Sequence, residues 1–426
     1  MSLLIRGALV VDPSQNLDGP RDLLIDRGKI AALEPPGSIP PGEHRVMDAR
    51  NLVATPGLID MHVHLREPGE EYKETIFTGA RAAVRGGFTA VAAMPNTRPV
   101  NDTASVTRFI VDQAKHAGLA RVYPVAAISV GSLGLMLSEY GDLKAAGAVA
   151  LSDDGRPVMN GLLMRRALEY ARTFGLSIIS HCEDLDLRAG GVIHEGLVSL
   201  ELGLRGIPAT AEEVMVFRDA ALAHLTGARL HIAHVSTAGS VAVIRQAKAA
   251  GVKITAETAP HYFSLTDEAV LGYNTNAKVN PPLRTPEDVE AIKEGLRDGT
   301  LDAIASDHAP HTVLEKDLEF GLAAFGLIGL ETSLGLSLKL VHEGVLTLSQ
   351  LVAKMSTGPA RILGVTGGCL CAGQPADVTL IDLNRQWQVD VNEFASKSRN
   401  CPFQGWTLKG RAVITMVGGK IVWQED

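Results

Sequence analysis

The amino-acid sequence predicts an α/β protein: a (β/α)8 TIM-type barrel with a small β-sandwich domain that is built from both termini. Two observations predict this arrangement. Eight apolar, strand-like runs alternate with helical stretches through the middle of the chain, and short strands broken by glycine turns occur at both ends. The chain has 426 residues, enough for one large barrel and one smaller domain. We expect residues 1–55 and 365–426 to form the small domain, and residues 56–364 to form the barrel.

The terminal strands are apolar runs interrupted by glycine. They cover residues 3–11 and 22–30 near the N-terminus, and residues 376–382 and 412–422 near the C-terminus. Pro-Gly pairs at 36–37 and 41–42 mark loops within the N-terminal part. Because both ends are rich in β-strand patterns, we expect them to pair in one sheet domain.

The barrel strands are predicted from eight apolar runs, at residues 57–64, 89–94, 122–127, 148–152, 176–181, 230–235, 253–257 and 303–306. Helical patterns lie between most of them, for example at residues 161–173, 211–225 and 240–250. Chemistry in such barrels takes place at the carboxyl ends of the strands. The polar residues that follow each run are therefore the candidates for function.

Composition excludes several classes of protein. Hydrophobic residues make up 46% and charged residues 21%, which indicates a globular chain. The formal net charge is -8 and no basic cluster occurs, which argues against a nucleic-acid partner. We expect no signal peptide, and we find no apolar run long enough to cross a membrane. The four cysteines form no Cys-x-x-Cys pair, so we expect a cytoplasmic protein.

His62 and His64 close the first predicted strand, two residues apart. Side chains two apart on a strand leave the same face, and two imidazoles there can bind one metal ion. Four later strands also end in metal-competent side chains: Asp153 or Asp154, His181, His234, and Asp307. These donors suit zinc or a similar divalent ion and are enough for two metals. His231, three residues before His234, is expected to face the opposite side and to be structural.

This order of histidines and aspartates resembles the amidohydrolase superfamily, and the match is closer to the bacterial class I dihydroorotases. The resemblance covers almost the whole chain, including the split β domain. The motifs that carry it are GLIDMHVHLREPG (57–69), MPNT (94–97), KVNPPLR (278–284), SDHAPH (306–311), AAFG (323–326) and GLET (329–332).

One position separates the related families. Hydantoinases and dihydropyrimidinases typically bridge their metals with a carboxylated lysine on the fourth barrel strand. Here the strand ends in Ser152-Asp153-Asp154-Gly155, with no lysine. The chain is thus similar to the dihydroorotases that use an aspartate. The resemblance favours Asp154 as the bridge, with Asp153 as the alternative and the unused aspartate as a turn residue.

The resemblance also implies a role for each site residue. His62, His64, Asp154 and Asp307 would bind one zinc, and Asp154, His181 and His234 a second. Asp307 would be the catalytic residue, carrying a proton from the attacking water to the departing amide nitrogen. The residues implied in substrate binding are His64, Arg66, Asn96, Asn280, His311, Phe325 and Gly326. Among these, Arg66 would bind the substrate carboxylate, helped by Asn96 and His311.

The implied function is that of a dihydroorotase, which interconverts N-carbamoyl-L-aspartate and (S)-dihydroorotate in de novo pyrimidine (UMP) biosynthesis with one or two zinc ions per subunit. A homodimer is expected, and a complex with aspartate transcarbamoylase is a further option. The alternatives are another cyclic-amide hydrolase (a hydantoinase, dihydropyrimidinase or allantoinase) or a non-catalytic scaffold for aspartate transcarbamoylase. The charged segment 312–320 is expected to act as a lid; a solvated loop is the other reading.

Overall fold

The protein was analysed as a computed structural model, which describes residues 2–425. The strands are β1 (Leu3–Asp12), β2 (Leu17–Asp26), β3 (Lys29–Glu34), β4 (Arg45–Asp48), β5 (Val53–Pro56), β6 (Leu58–Val63), β7 (Phe88–Ala93), β8 (Arg121–Ala126), β9 (Ala150–Leu151), β10 (Ser177–Ser180), β11 (Ile193–His194), β12 (Gly206–Ile207), β13 (Leu230–Ile232), β14 (Ile254–Thr258), β15 (Ala303–Ile304), β16 (Val378–Gln388), β17 (Thr407–Val417) and β18 (Lys420–Gln424).

The α-helices are α1 (Ile76–Arg85), α2 (Ala104–Ala117), α3 (Tyr140–Ala146), α4 (Gly161–Phe174), α5 (Leu185–Arg188), α6 (Leu197–Leu202), α7 (Thr210–Thr226), α8 (Ala238–Ala249), α9 (Pro286–Asp298), α10 (Val313–Lys316), α11 (Ser333–His342), α12 (Leu348–Val352) and α13 (Gly358–Leu363). A π-helical turn, Ala353–Thr357, joins α12 to α13. No helix within residues 2–425 is long and apolar enough to cross a membrane.

The predicted barrel is confirmed. Its eight strands lie side by side in the order β6-β7-β8-β9-β10-β13-β14-β15, and every neighbouring pair is parallel. All residues of β6 and β7 are buried, because one face lines the barrel interior and the other lies beneath the helices. Each of the eight apolar runs of the sequence coincides with one barrel strand.

The first and last barrel strands, β6 and β15, are joined by a few contacts and not by a continuous ladder of backbone hydrogen bonds. Val63 and His308 form an isolated parallel bridge, and the His64 amide donates to the His308 carbonyl over 2.8 Å. The buried Asp60 carboxylate accepts from the Ser306 amide at 3.1 Å. These contacts bring together the ends of β6 and β15, which are more than two hundred residues apart in sequence.

Helix α4 shows why the outer helices form where the sequence places them. The Asn160 side chain caps its start by accepting from two backbone amides, and Gly175 ends it in the left-handed conformation with a φ of 65°. Its buried residues are Met164, Ala167, Leu168 and Ala171, spaced three and four apart. The helix therefore packs one apolar face on the barrel.

Both chain ends form one mixed sheet in the order β18-β17-β16-β5-β1-β2-β3, with β4 paired to β1. Strand β5 joins the two ends, because it is parallel to β1 and antiparallel to β16. The sheet has its own apolar core, which includes Ile5, Leu23, Val378, Leu380 and Met416. Since β5 ends at Pro56 and β6 starts at Leu58, we propose the division into residues 1–55, 56–364 and 365–426.

The loops that follow β10, β14 and β15 are long and share an apolar cluster of their own above the barrel. The cluster contains Ile193, Val198, Ala259, Tyr262, Val270, Ala277, Val279, Leu283, Phe320 and Leu327. The two-stranded sheet of β11 and β12, which was not predicted, belongs to the first of these loops. These loops form the wall around the carboxyl ends of the barrel strands.

Candidate active site

The six residues that the sequence predicted as metal ligands lie together at the carboxyl end of the barrel. His62 is in β6 and His64 follows it, while the others come one to three residues after β9, β10, β13 and β15; they are Asp154, His181, His234 and Asp307. All six side chains are buried. Residues from five strands therefore converge on one point in the barrel mouth.

Asp154 stands at the centre of this cluster and is shared by two groups of donors. Its Oδ1 lies 3.3 Å from His62 Nε2, and its Oδ2 lies 3.5 Å from His64 Nε2. On the other side, Oδ1 is 3.6 Å from His181 Nδ1 and 3.5 Å from His234 Nε2. Either triad could hold a metal ion, and a carboxylate common to both could bridge two.

The neighbouring Asp153 points elsewhere. Its carboxylate accepts from the Ser129 amide over 3.1 Å and from the Ser129 hydroxyl. Those two contacts hold it against the loop after β8 and away from the histidines. Of the two aspartates left open by the sequence, the structure places Asp154 in the cluster.

The donor atoms suit a bound cation. His62 Nε2 and Asp154 Oδ1 are both buried, and neither has a hydrogen-bond partner among residues 2–425. Buried polar atoms without a partner are costly, and a divalent ion would satisfy both at once. Imidazole nitrogens and carboxylate oxygens are the donors that zinc and similar ions take.

Asp307 lies beside the first triad, with its Oδ1 3.1 Å from His64 Nε2 and 3.6 Å from His62 Nε2. Burial by itself raises the pKa of the Asp307 carboxyl. The hydrogen bond with His64 and the nearby His62 outweigh burial and hold that pKa well below its usual range. The pKa of Asp154 is lowered by His62, His234 and His64 against the same burial effect. Both side chains are thus carboxylates, as ligands must be.

Three site residues have left-handed backbone conformations. The φ angles are 64° for Arg66, 33° for His234 and 48° for Asp307. For residues other than glycine, this region costs roughly 1–2 kcal/mol, and such strain is concentrated at functional sites. These left-handed residues change the direction of the side chains just after the strands end. The alternation of side chains between the two faces of a regular strand therefore no longer applies there.

The prediction that His231 faces away from the site is wrong. Its ring is buried, and its Nε2 lies 3.3 Å from Glu257 Oε2. The other Glu257 oxygen is 2.8 Å from His62 Nδ1. Glu257 thus connects His231 to a candidate metal ligand, and sequence reasoning missed it although it ends the seventh predicted strand.

Glu257 should raise the metal affinity of the site, because a carboxylate on the second nitrogen of a ligating imidazole fixes its orientation and basicity. We expect Glu257→Ala to weaken metal binding by about 10- to 100-fold, and Glu257→Gln, which keeps an acceptor for His62, to weaken it less. Competition with a chromogenic chelator measures this effect, with circular dichroism as the check on folding. Unchanged metal affinity in Glu257→Ala would exclude this role.

A cavity of about 230 Å³ opens beside the cluster, and all seven residues predicted to bind substrate line it: His64, Arg66, Asn96, Asn280, His311, Phe325 and Gly326. Asn96 Oδ1 lies 2.8 Å from His64 Nδ1, so it also orients that imidazole. The Asn280 amide donates to Glu183 Oε2 over 3.1 Å. The cavity is thus continuous with the metal-ligand cluster.

Arg66 is a buried cation in the wall of this cavity. Its Nε donates to the Pro310 carbonyl over 3.1 Å, and its Nη2 lies 3.3 Å from His311 Nε2. Burial and the adjacent Arg66 charge lower the pKa of His311 to about 2. The ring is therefore neutral near pH 7, and its Nε2 donates to the Phe325 carbonyl over 2.8 Å.

Sequence reasoning missed two further charged residues at the cavity. Arg188 lines it from α5, and its Nη1 lies 3.4 Å from Glu183 Oε2. The same Glu183 oxygen lies 3.4 Å from His181 Nε2. Glu183 follows His181 by two residues, a spacing that could have suggested it, whereas nothing in the local sequence marks Arg188.

The segment 312–320, predicted as a lid, begins at the cavity rim with α10. Thr312 and Glu315 cap this helix reciprocally, and Glu315 Oε1 lies 2.9 Å from Lys73 Nζ. Leu314 is 81% exposed, so the outer face of the helix is in solvent. The segment follows His311, which lines the cavity, but residues 312–320 do not line it themselves, and their role as a lid stays a prediction.

Comparison with known proteins agrees with this geometry. A family model described as Dihydro-orotase-like matches residues 51–240. The chain is 58% identical over 427 residues to a protein of Syntrophus aciditrophicus named Dihydroorotase, with 100% of both chains covered. It is 60% identical over 422 residues to a protein of the same name from Geobacter sulfurreducens, with 99% of each covered.

Among solved structures, an L-hydantoinase (dihydropyrimidinase) from Arthrobacter aurescens superposes with a TM-score of 0.88 at 27% identity, covering 99% of this chain and 96% of that one. The hydantoinase thus shares the fold of this chain over nearly its whole length. The relatives that are more than half identical over the whole length are named Dihydroorotase. On that identity, the chain belongs to the dihydroorotase family.

Proposed function

We propose that the chain catalyses the reversible cyclisation of N-carbamoyl-L-aspartate to (S)-dihydroorotate, a step of de novo pyrimidine biosynthesis. The observation that carries the proposal is the buried Arg66 cation, which lines the same small cavity as the His and Asp cluster. A cyclic amide that bears a carboxylate would place its amide at the cluster and its carboxylate at Arg66. Whole-length relatives named Dihydroorotase support the assignment.

We propose zinc as the metal, one or two ions per subunit. His62, His64, Asp154 and Asp307 would hold the first, and Asp154, His181 and His234 the second. When bound, a divalent ion lowers the pKa of water toward 7 and polarises a carbonyl group. The six side chains are buried, and the lower dielectric of a buried site strengthens the electrostatic contacts within it.

Asp307 is the proposed proton carrier. In hydrolysis, the water oxygen adds to the ring amide carbonyl, the carbon–nitrogen bond breaks, and one proton must move from the water to the departing nitrogen. Asp307 accepts that proton and then donates it to the nitrogen. In ring closure, it removes the proton from the ureido nitrogen instead. Its contact with His64 holds the carboxylate in place for both directions.

Arg66 is the proposed carboxylate receptor. An arginine binds a carboxylate through two parallel N–H donors. Its Nε is anchored on the Pro310 carbonyl, and His311 lies against Nη2. We propose that Asn280 and the backbone of Phe325 and Gly326, which line the same cavity, contact the polar edge of the ring.

Two rival functions are less well supported. A hydantoinase-type enzyme would be expected to carry a lysine at the end of β9, where this chain has Asp154 between the two triads. A non-catalytic scaffold for aspartate transcarbamoylase would have no need of a complete ligand cluster, yet both triads are present here. The decisive experiment is a dihydroorotate hydrolysis assay on the purified protein beside elemental metal analysis. No activity in the metal-loaded protein would refute the proposal.

Arg66 provides the test of specificity. Arg66→Ala or Arg66→Gln should raise the KM for dihydroorotate by about 10- to 100-fold, because the substrate carboxylate loses its charge-assisted partner. The surface variant Arg165→Gln is the matched control, since within residues 2–425 Arg165 pairs with Glu169 alone, on the outside of α4. Dihydrouracil, the same ring without the carboxylate, should be a very poor substrate for the unmodified protein. Equal turnover of both compounds would favour a hydantoinase instead.

The homodimeric state, the complex with aspartate transcarbamoylase and the cytoplasmic location stay predictions. The described residues expose apolar side chains on several helices, among them Leu197 and Leu200 of α6 and Phe217 of α7. Sedimentation of the purified protein, alone and with the transcarbamoylase, tests the first two.

A further inference from the structure

Two lysines are buried beneath the loop that follows β15. Lys278 is 1% exposed and Lys316 is 4% exposed. Lysine is almost never fully buried unless its charge is paired. Neither ammonium forms an ion pair with a carboxylate among residues 2–425, so backbone groups must satisfy them.

Lys278 binds three carbonyls of the loop. Its Nζ donates to Phe320 at 2.5 Å, to Gly321 at 3.1 Å and to Ala323 at 2.6 Å. The same ammonium stands 4.4 Å from the centre of the Phe325 ring, within cation–π range. One side chain thus contacts most of the segment from 320 to 325.

Lys316 continues the same pattern toward the cavity. Its Nζ donates to Ala324 at 2.8 Å, to Gly326 at 2.9 Å and more weakly to the Lys278 carbonyl at 3.4 Å. The Lys278 carbonyl also accepts from the Gly326 amide over 2.8 Å. The two lysines together therefore bind five backbone carbonyls between residues 320 and 326.

Burial opposes this arrangement energetically. It lowers the pKa of Lys278 to about 8 and that of Lys316 to about 7. The carbonyl oxygens act in the other direction, because they stabilise the ammonium form. An apolar side chain could fill the same space without that desolvation cost. What the lysines add is a set of directed hydrogen bonds on one loop.

That loop forms part of the cavity wall. Phe325 and Gly326 line the cavity, and the Phe325 carbonyl accepts from His311, which lies against Arg66. A shift of residues 320–326 would therefore displace His311, which donates to the Phe325 carbonyl. Because His311 lies against the Arg66 guanidinium, the surroundings of Arg66 would change as well. The six candidate metal ligands lie in or just after β6, β9, β10, β13 and β15, outside the loop of residues 320–326.

We propose that Lys278 and Lys316 are positioning residues that hold residues 320–326 in the form that receives substrate, and so set substrate affinity without taking part in the chemistry. This inference rests on the proposed function for the identity of the substrate. Preorganising a binding loop increases affinity because less ordering is required when the ligand binds.

The test uses Lys278→Met and Lys316→Met in the metal-loaded protein, with kcat and KM for dihydroorotate. We expect KM to rise about tenfold, with kcat within about threefold of the unmodified protein, the pattern of lost binding that is equal in ground and transition states. Metal content should be unchanged. Lys278→Gln and Lys316→Gln retain two N–H donors and should therefore raise KM less. If a methionine variant does not fold, the glutamine variants are measured in its place.

Lys354→Met is the matched control. Lys354 is also buried, with its Nζ donating to the Leu301 carbonyl over 2.6 Å, and burial lowers its pKa to about 8. It lies in the π-helical turn at the opposite end of the barrel. Its loss should reduce the melting temperature and leave KM unchanged, which separates a general effect of removing a buried lysine from a loop effect.

Hydrogen exchange of the ligand-free proteins gives a readout that does not depend on activity. Peptides covering residues 315–327 should exchange faster in the two loop variants and normally in Lys354→Met. Normal exchange together with an unchanged KM would overturn the inference. An inactive unmodified protein would refute the proposed function, and the exchange rates would still decide whether the lysines hold the loop.

Discussion

Replacing His62 or His181 by alanine is expected to abolish turnover and to lower the bound metal, while the fold largely survives. His62 belongs to one triad around Asp154 and His181 to the other. Residues at the carboxyl end of barrel strands serve function more than stability. Elemental analysis and an activity assay on the same samples measure both effects, with circular dichroism to follow folding.

His194→Ala is the matched control for these variants. His194 is also buried, but its Nδ1 faces Arg284 at 3.1 Å and it contacts none of the cluster. Its replacement should leave metal content unchanged. A His62→Ala protein that is active and carries its full metal complement would refute the assignment of the site.

Asp307→Asn is expected to reduce turnover by roughly a hundredfold or more, the usual scale for a general acid–base group. Asparagine keeps the size and most of the contacts of the side chain but cannot carry the proton. The KM should change less than kcat, because Arg66 and the cavity wall remain in place. Steady-state kinetics with metal content measured on each preparation separates loss of proton transfer from loss of metal.

Asp153→Asn is the control for the second prediction. Asp153 is a buried carboxylate one residue from Asp154, yet its contacts are with Ser129. An asparagine oxygen can still accept from the Ser129 amide, so turnover should stay within several-fold. If Asp307→Asn retained the turnover of the unmodified protein, Asp307 would be a ligand only and another group would have to carry the proton.

Much of the fold could be predicted from sequence because it depends on local patterns. Each buried barrel strand is a short apolar run, and α4 extends one residue beyond its predicted end at 173, to Phe174. The His62-x-His64 pair was informative because a strand places alternate side chains on one face. What local patterns could not supply was the insertion that contains β11 and β12, where two-residue strands leave no periodic signal.

The sequence by itself determined the barrel, the split terminal sheet and the chemical types of the candidate metal ligands, since all three follow from strand patterns and residue identity. The tertiary structure decided which of two nearby candidate residues has its side chain in the site. Asp154 and not Asp153 meets the histidines, and His231 reaches Glu257, because contacts across the barrel set these directions. It also decided that Lys278 and Lys316 lie under one loop. Such contacts join residues far apart in sequence, and only packing of the whole chain brings them together.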